Sequence, residues 1–279
     1  YAPDPSSQRA CTIGGNVSMN AGGPHTLAYG VTTNHVLGLE AVLPDGSMLT
    51  VGGKSLDGAA GYDLTGLLVG SEGTMALVTK IIVRLMRKPE AVKTILAIYE
   101  RPEDAGDTVA QLTADSITPA AVEMLDGVLL KMVEESCHAG YPLDAGAVLL
   151  IELEGLKEAV EAQVEQVREV CMRCHAREFR LARDEREREL LWKGRKNAFG
   201  AVGRAAPAYY VQDGVVPRTQ IAPTLRFIMN LAAQYDLTIS NIFHAGDGNL
   251  HPLICFDPRK PGETGKVLKA GDAILEHCI

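Results

Sequence analysis

Between Thr94 and Glu154 strand-like and helix-like runs alternate, and that order restricts the possible layer arrangements more than anything else in the chain. Thr94 to Tyr99 reads as a strand, Glu103 to Ala114 as a helix, Ala120 to Leu125 as a strand, Val128 to Cys137 as a helix and Ala147 to Glu154 as a strand. The pattern predicts an α+β sandwich, an antiparallel sheet with helices on one face. Polar helices follow at about Leu156 to His175 and Asp184 to Ala205, then a strand at Tyr209 to Asp213 and a helix at Ile221 to Tyr235. A pair of strands is expected around the sequence HAGDGNLH that begins at His244, and a last helix from Gly265 to Ile279.

Residues 1 to about 90 are richer in glycine and β-type patterning. His35 to Leu43 and Ser47 to Val51 flank Pro44-Asp45-Gly46, a turn sequence that presets φ, offers an Asx hydrogen bond and tolerates positive φ, so a hairpin is expected. Asp63 is placed to cap a short helix or turn over Tyr62 to Val69. Ile81, Val83 and Leu85 alternate with Ile82, Arg84 and Met86 in a strand that closes the unit. The composition changes at Arg87-Lys88-Pro89-Glu90, which sets a domain boundary there and gives domains 1–90 and 91–279.

With 27 basic against 35 acidic residues the net charge is −8, leaving no basic excess for nucleic acid. No run approaches the apolar length of a transmembrane helix and no signal peptide opens the chain, so a cytoplasmic location is expected. Six cysteines in a chain with 46% hydrophobic residues read as reduced thiols. Tyr1 is not an initiator Met and the last helix stops at Ile279, so a fragment of a longer protein is expected.

Two glycine clusters could carry chemistry. Thr12-Ile13-Gly14-Gly15-Asn16, Ser18, Asn20 and Ala21-Gly22-Gly23 form the first, and Gly70-Ser71-Glu72-Gly73-Thr74 the second. Exposed backbone N–H groups in such turns can hold a pyrophosphate without basic side chains, although tight turns in a β-rich domain use the same residues. Neither the dinucleotide G-x-G-x-x-G nor the P-loop pattern is present.

Farther along, a strand ending at His244, a turn containing Gly246, Asp247, Gly248 and Asn249, and a strand starting at His251 let two imidazoles converge as metal ligands do. Arg195, in Trp192-Lys193-Gly194-Arg195, offers the planar fork suited to a carboxylate, or is a surface residue of a basic helix. Cys171-Met172-Arg173-Cys174-His175 matches the c-type haem attachment pattern, but it ends a polar helix in a chain without an export signal, so two reduced cysteines are the preferred reading.

The stretches TIGGNVSMNAGG from Thr12, YGVTTNHVLGLEAVLPDG from Tyr29 and LVGSEGTMALVTKIIVRL from Leu68 resemble the FAD-binding domain of the vanillyl-alcohol oxidase / para-cresol methylhydroxylase superfamily. The remainder resembles its FAD-linked oxidase C-terminal domain, in the branch acting on glycolate, D-lactate and D-2-hydroxyglutarate. The resemblance implies the second part of a PCMH-type FAD-binding domain followed by a ferredoxin-like α+β substrate (cap) domain. It implies FAD lined by Pro5, Ser6, Ser7, Thr12, Gly14, Gly15, Asn16, Ser18, Asn20, Ala21, Gly22, Gly23, Tyr29, Glu72, Gly73 and Val78. The family's first pyrophosphate loop would lie upstream of Tyr1, and Ala76 replaces a glycine common after GSEGT.

The resemblance further implies that Arg195 binds the substrate carboxylate and that His244, His251 and Asn249 complete the catalytic group. In several members the two histidines bind a divalent metal (Zn, Mn or Fe) with a later Glu, which would fall beyond Ile279. A lysine of the 2-hydroxyglutarate relatives corresponds to about Val211, which favours a small monocarboxylate. The implied activity is FAD-dependent oxidation of glycolate or D-lactate to the 2-oxo acid, with a 2-hydroxyglutarate dehydrogenase as the alternative. Implied partners are other oxidase subunits, an Fe–S electron acceptor among them, which would bring the chain to the inner face of a membrane. Two rivals from other classes are a metal-dependent hydrolase built on His244, Asp247 and His251, and a non-catalytic assembly module.

Overall fold

Pro44-Asp45-Gly46 turns the chain between β1 (Val36–Val42) and β2 (Met48–Gly52), which pair antiparallel with Val42 opposite Met48. The Asp45 carboxylate accepts the Ser47 N–H at 2.9 Å, and Gly46 takes φ +84°, as the turn sequence requires. The computed structural model describes residues 1–8, 10–53 and 61–279. It divides into two units, Tyr1–Lys88 and Pro89–Ile279.

In the first unit the Thr12–Asn16 segment, expected as glycine turns, is the start of a short helix, α1 (Ile13–Ser18). The Thr12 hydroxyl caps it by accepting the Gly15 N–H at 3.0 Å, and Val17 is fully buried among Leu39, Ala41 and Leu68. Cap and burial together offset the helix cost of two glycines. A single turn, α2 (Thr26–Tyr29), follows. Asp63 caps α3 (Leu64–Leu68) through the Gly66 N–H at 2.9 Å.

The closing strand, β3 (Leu77–Val83), begins earlier and ends sooner than the alternation at Ile81 to Met86 suggested. Its partner β1 starts at Val36, so the ladder ends where partners end, and Leu85 stands 84% exposed. The three strands run in the order β2-β1-β3.

The second unit contains β4 (Ala91–Tyr99), α4 (Pro102–Ala114), β5 (Ala121–Asp126), α5 (Gly127–Cys137), β6 (Ala147–Gly155) and α6 (Lys157–Arg173). Then come β7 (Glu178–Leu181), α7 (Glu185–Lys196), α8 (Ala198–Ala205), β8 (Ala208–Val211) and β9 (Gly214–Val215). It ends with α9 (Ile221–Tyr235), β10 (Thr238–His244), β11 (Asn249–Phe256) and α10 (Glu263–Cys278). The sheet order is β7-β4-β6-β5-β10-β11-β8, with β9 also on β11, and every pairing is antiparallel.

Helices cover both faces of this sheet, not one. Leu96, Ile98, Val148 and Leu150 join a core with Leu129, Leu191 and Ala198 of α5, α7 and α8. Their neighbours Ile95, Ala97, Leu149 and Ile151 are equally buried, on the side where α4 and α6 lie on β4 and β6. Successive strand residues point to opposite faces, so consecutive buried residues require both faces to be covered.

The helix expected over Asp184 to Ala205 is two helices, because the Asn197 amide bonds back to the Lys193 carbonyl at 2.8 Å and the backbone leaves the helix there. The short edge strand β7 and the two-residue β9 were not anticipated. No helix among the described residues is long and apolar enough to cross a membrane.

Candidate active site

Strand β5 reads Ala-Val-Glu-Met-Leu-Asp and is buried throughout, so Glu123 puts a carboxylate into a core. Such a charge persists only if paired and hydrogen-bonded. The register Leu125 opposite Ile242 and Met124 opposite Phe243 brings the end of β10, His244, across from Glu123. Glu123 Oε1 lies 2.8 Å from His244 Nδ1. From α7, Arg195 reaches down to the same carboxylate, donating from Nε at 2.6 Å and from Nη2 to Oε2.

Arg195 is 1% exposed, so it is neither a surface residue nor a free fork: its Nε/Nη2 edge is committed to Glu123. Burial pushes the Glu123 carboxyl up, but the Arg195 charge, with His244 behind it, outweighs burial and holds it below the ordinary range. Arg195 Nη2 and His244 Nδ1 approach to 3.4 Å. Guanidinium can only donate, and both side chains converge on the Glu123 carboxylate.

The second anchor of α7 is Glu152 of β6, fully buried, which accepts from Trp192 Nε1 at 2.6 Å, Arg188 Nε at 2.9 Å and Thr94 Oγ1 at 2.7 Å. Two buried carboxylates one strand apart thus set the position of the helix carrying Arg195.

The β10–β11 hairpin places His244 opposite Asn249 and Ile242 opposite His251, so the two imidazoles share a face. Their centroids are 5.3 Å apart with planes at 88°. Gly248 forms the turn at φ +74°, and a side chain there would meet the Val216 carbonyl. Asn249 donates to Asp213 at 2.7 Å, and the same Asp213 oxygen is 3.7 Å from His251 Nδ1. Burial, then the neighbouring His244, push the His251 imidazole down to about 4, against the pull of Asp213. Asp247, whose backbone neighbour Gly246 accepts from Arg218 Nε, is pushed up to about 6 by burial.

Both histidines turn Nδ1 toward a carboxylate, which suits metal ligation through Nε2. Among the described residues no three His, Cys, Asp or Glu ligand atoms within 4.8 Å of one another include either histidine. The donors fit two positions of a metal site that takes a further ligand from elsewhere. They do not fit a self-contained site of His244, Asp247 and His251.

Most flavin candidates of the first unit fall into three groups, with Val78 and the paired Gly22 and Gly23 outside them; a Cβ on Gly22 would lie 2.9 Å from Thr26 Oγ1. Pro5, Ser6 and Ser7 lie in a turn whose carbonyls accept from Gln8 and from Ala10 and Cys11. Thr12, Gly14, Gly15, Asn16 and Ser18 belong to α1 and its cap, and the Glu72 N–H reaches the Ser18 carbonyl at 2.8 Å, joining the two glycine clusters. Glu72 and Gly73 both take positive φ in that loop. Asn20 and Ala21 hold the Thr32–Thr33 backbone, and the Tyr29 carbonyl accepts from His35 Nε2.

Val78 pairs with Ala41 inside the sheet. The glycines differ: a Cβ on Gly14 meets nothing within 4 Å and one on Gly15 only Thr12 Oγ1 at 3.2 Å. A Cβ on Gly23 would lie 2.1 Å from the Pro3 carbonyl, so packing alone already requires glycine there. Cys171, of the haem-like pattern, is buried, and burial pushes its thiol up to about 11, which suits a core residue better than an attachment site.

Glu123, Asp213 and Glu152 were not foreseen as site residues. A Glu flanked on both sides by apolar residues of a strand was the signal available for Glu123 and for Glu152.

The fold is that of an FAD-linked oxidase domain, and the chain belongs to the FAD-linked oxidase family. The model for the C-terminal domain of FAD linked oxidases matches residues 88–279, and that for an FAD binding domain matches residues 1–52. Among curated relatives, the glycolate oxidase subunit GlcD of Escherichia coli (strain K12) is 47% identical over the whole chain, which covers 56% of that protein. The GlcD subunit of Bacillus subtilis (strain 168) is 44% identical over the whole chain and 59% covered. A D-lactate dehydrogenase of Archaeoglobus fulgidus is 35% identical over 91% of this chain and 56% of its own length. The chain therefore spans a little over half of these relatives. Of solved structures, alkyldihydroxyacetonephosphate synthase matches with a TM-score of 0.77 at 15% identity over 99% of this chain and 54% of its own. p-Cresol methylhydroxylase matches with a TM-score of 0.66 at 17% identity over 91% and 59%.

Proposed function

We propose that residues 1–90 form the second part of an FAD-binding domain and residues 91–279 the substrate domain of an FAD-dependent dehydrogenase. It oxidises a small 2-hydroxy acid, glycolate or D-lactate, to the 2-oxo acid. The observation that carries this reading is the convergence of Arg195, His244, Asn249 and His251 around Glu123 and Asp213. A fixed cation stands beside two imidazoles whose Nδ1 atoms are engaged, which pairs a carboxylate anchor with acceptors for a hydroxyl proton.

Arg195 receives the substrate carboxylate on the guanidinium edge away from Glu123, and Asn249, held by Asp213, orients the hydroxy acid. His244 or His251 takes the hydroxyl proton on Nε2. When bound, FAD supplies the acceptor for the hydride equivalent that leaves the α-carbon. If a divalent metal (Zn, Mn or Fe) is bound, it would be held by the same Nε2 atoms of His244 and His251, which then would not take the proton themselves, and it would supply Lewis acidity at the substrate hydroxyl instead. Pro5 to Ser7, the first turn of α1, Asn20 to Gly23, Tyr29 and the Glu72–Gly73 loop to Val78 make up the flavin-binding surface.

The apolar Val211 favours a monocarboxylate over 2-hydroxyglutarate. The GlcD relatives are named as subunits, which supports assembly with other oxidase subunits. An Fe–S electron acceptor among them, and attachment through them to the inner face of the membrane in the cytoplasm, belong to the same proposal.

Anaerobic stopped-flow reduction of the full-length flavoprotein with glycolate and with D-lactate tests this reading. Flavin bleaching that saturates with one of them is expected. No reduction by either would sink the proposal.

A further inference from the structure

Glu123 bonds both Arg195 and His244 of the hydroxy-acid site, and the proposed function gives it no role of its own. It is fully buried on β5, with Arg195 on Oε2 and His244 on Oε1. A counter-ion for Arg195 alone would need only the first of these contacts. The second sits at 2.8 Å on the ring nitrogen that decides the tautomer of His244. We propose that Glu123 is a positioning residue that holds His244 as its Nδ1–H tautomer, leaving Nε2 as the unprotonated nitrogen that faces the chemistry.

The hydrogen-bond lengths favour this assignment: Nδ1 is 2.8 Å from the Glu123 carboxylate and 3.4 Å from Arg195 Nη2, the donor that an unprotonated Nδ1 would need. A carboxylate between two donors accepts from both, so the His244 proton resides on Nδ1 while Glu123 is charged, and the ring cannot rotate without losing a charge-assisted bond. Arg195 contributes by keeping that carboxylate charged and turned toward His244: two of its nitrogens fix Oε2, which aims Oε1. Asp213 plays a looser version of the same part for His251, at 3.7 Å. The inference rests on the hydroxy-acid reading only for what Nε2 does, not for which nitrogen carries the proton.

Glu123→Gln inverts the arrangement. Its single carbonyl oxygen must go to Arg195, which can only donate, so its amide NH2 turns to His244 Nδ1 and donates, forcing the proton onto Nε2. Two-bond nitrogen–proton correlation spectra of the 15N-histidine-labelled holoprotein at about pH 8.5, above the ordinary histidine range, read this directly. The His244 resonance is identified by its loss in His244→Gln.

The expected result is Nδ1–H in the wild type and in Glu123→Asp, and Nε2–H in Glu123→Gln, with flavin reduction in the last slowed about 10–100-fold. An Nε2–H or doubly protonated His244 in the wild type would overturn the inference without recourse to any variant. So would an unchanged tautomer in folded Glu123→Gln. If the tautomers behave as stated and no 2-hydroxy acid reduces the flavin, Glu123 keeps its role and the substrate reading fails. If glycolate reduces the flavin and the tautomers do not differ, the reverse holds.

Discussion

Arg195 and Glu123 lie 72 residues apart in sequence and meet as an ion pair in which neither side chain is more than 1% exposed. The pair has two consequences that separate in experiment. It seats α7 on β5, and it leaves only one edge of the guanidinium to meet a substrate.

Arg195→Ala therefore does more than weaken carboxylate binding. It strands a buried carboxylate, and a broken buried pair costs about 3–5 kcal/mol. The variant is expected to lose that stability in urea unfolding of the apoprotein, and to raise the half-saturation concentration for glycolate in stopped-flow reduction. Stability near wild type would show that Glu123 relaxes to another partner.

His244→Ala and His251→Ala are expected to lower the saturating rate of flavin reduction, roughly 10²–10⁴-fold if the imidazole is the general base. Half-saturation should move less than in Arg195→Ala. Flavin reduction at wild-type rates in both would place the proton acceptor elsewhere.

The glycines of the first unit should divide by what surrounds them. Gly15→Val meets only the Thr12 hydroxyl at its Cβ and is expected to fold but purify without flavin. Gly23→Ala runs into the Pro3 and Asp4 carbonyls and is expected to lose about 1–3 kcal/mol, as overpacked sites do. Thermal unfolding of the apo forms, with the flavin absorbance of the purified proteins, distinguishes the two. Full flavin in Gly15→Val would remove α1 from the flavin surface.

Asp126 gives a pH dependence of definite sign. It caps α5 through the Leu129 N–H at 2.8 Å and accepts from both Asn241 nitrogens, yet burial prevails and pushes its carboxyl from 3.8 to about 6. The folded state then binds the proton more tightly than the unfolded chain, so this residue's contribution to stability is lost as pH rises from about 4 to about 6, about 3 kcal/mol in all. Asp126→Asn cannot ionise, so its stability relative to wild type should improve by that amount between about pH 4 and about pH 7 in urea titrations. A difference independent of pH would mean that folding leaves the proton affinity of Asp126 unchanged.

Glu152 holds three donors of different kinds, from Trp192, Arg188 and Thr94. Glu152→Ala is expected to destabilise the second unit by about 3–5 kcal/mol and to blue-shift the fluorescence of Trp192, the single tryptophan, by removing the charge on its indole N–H. Unchanged emission would show that the indole finds another acceptor.

What could be read from sequence is what neighbouring residues decide among themselves. The Pro44-Asp45-Gly46 hairpin, the Asp63 cap, helix Ile221–Tyr235 and the paired strands that carry His244 and His251 all follow from local φ, capping and period, because their partners lie within a few residues or across one turn. The glycine-rich run at Thr12 misled in part: turn composition outweighed a cap and a buried Val17 that only packing reveals. Asn197 likewise broke a helix whose period continued past it. The second cover of the sheet, the packing need at Gly23 and the three-way contact of Glu123, Arg195 and His244 were left to the tertiary structure. Glu123 and His244 are 121 residues apart and meet because β5 lies beside β10, an order of strands that no local pattern encodes. A buried Glu in an apolar strand announces that it needs a partner; the identity of that partner is a property of the sheet.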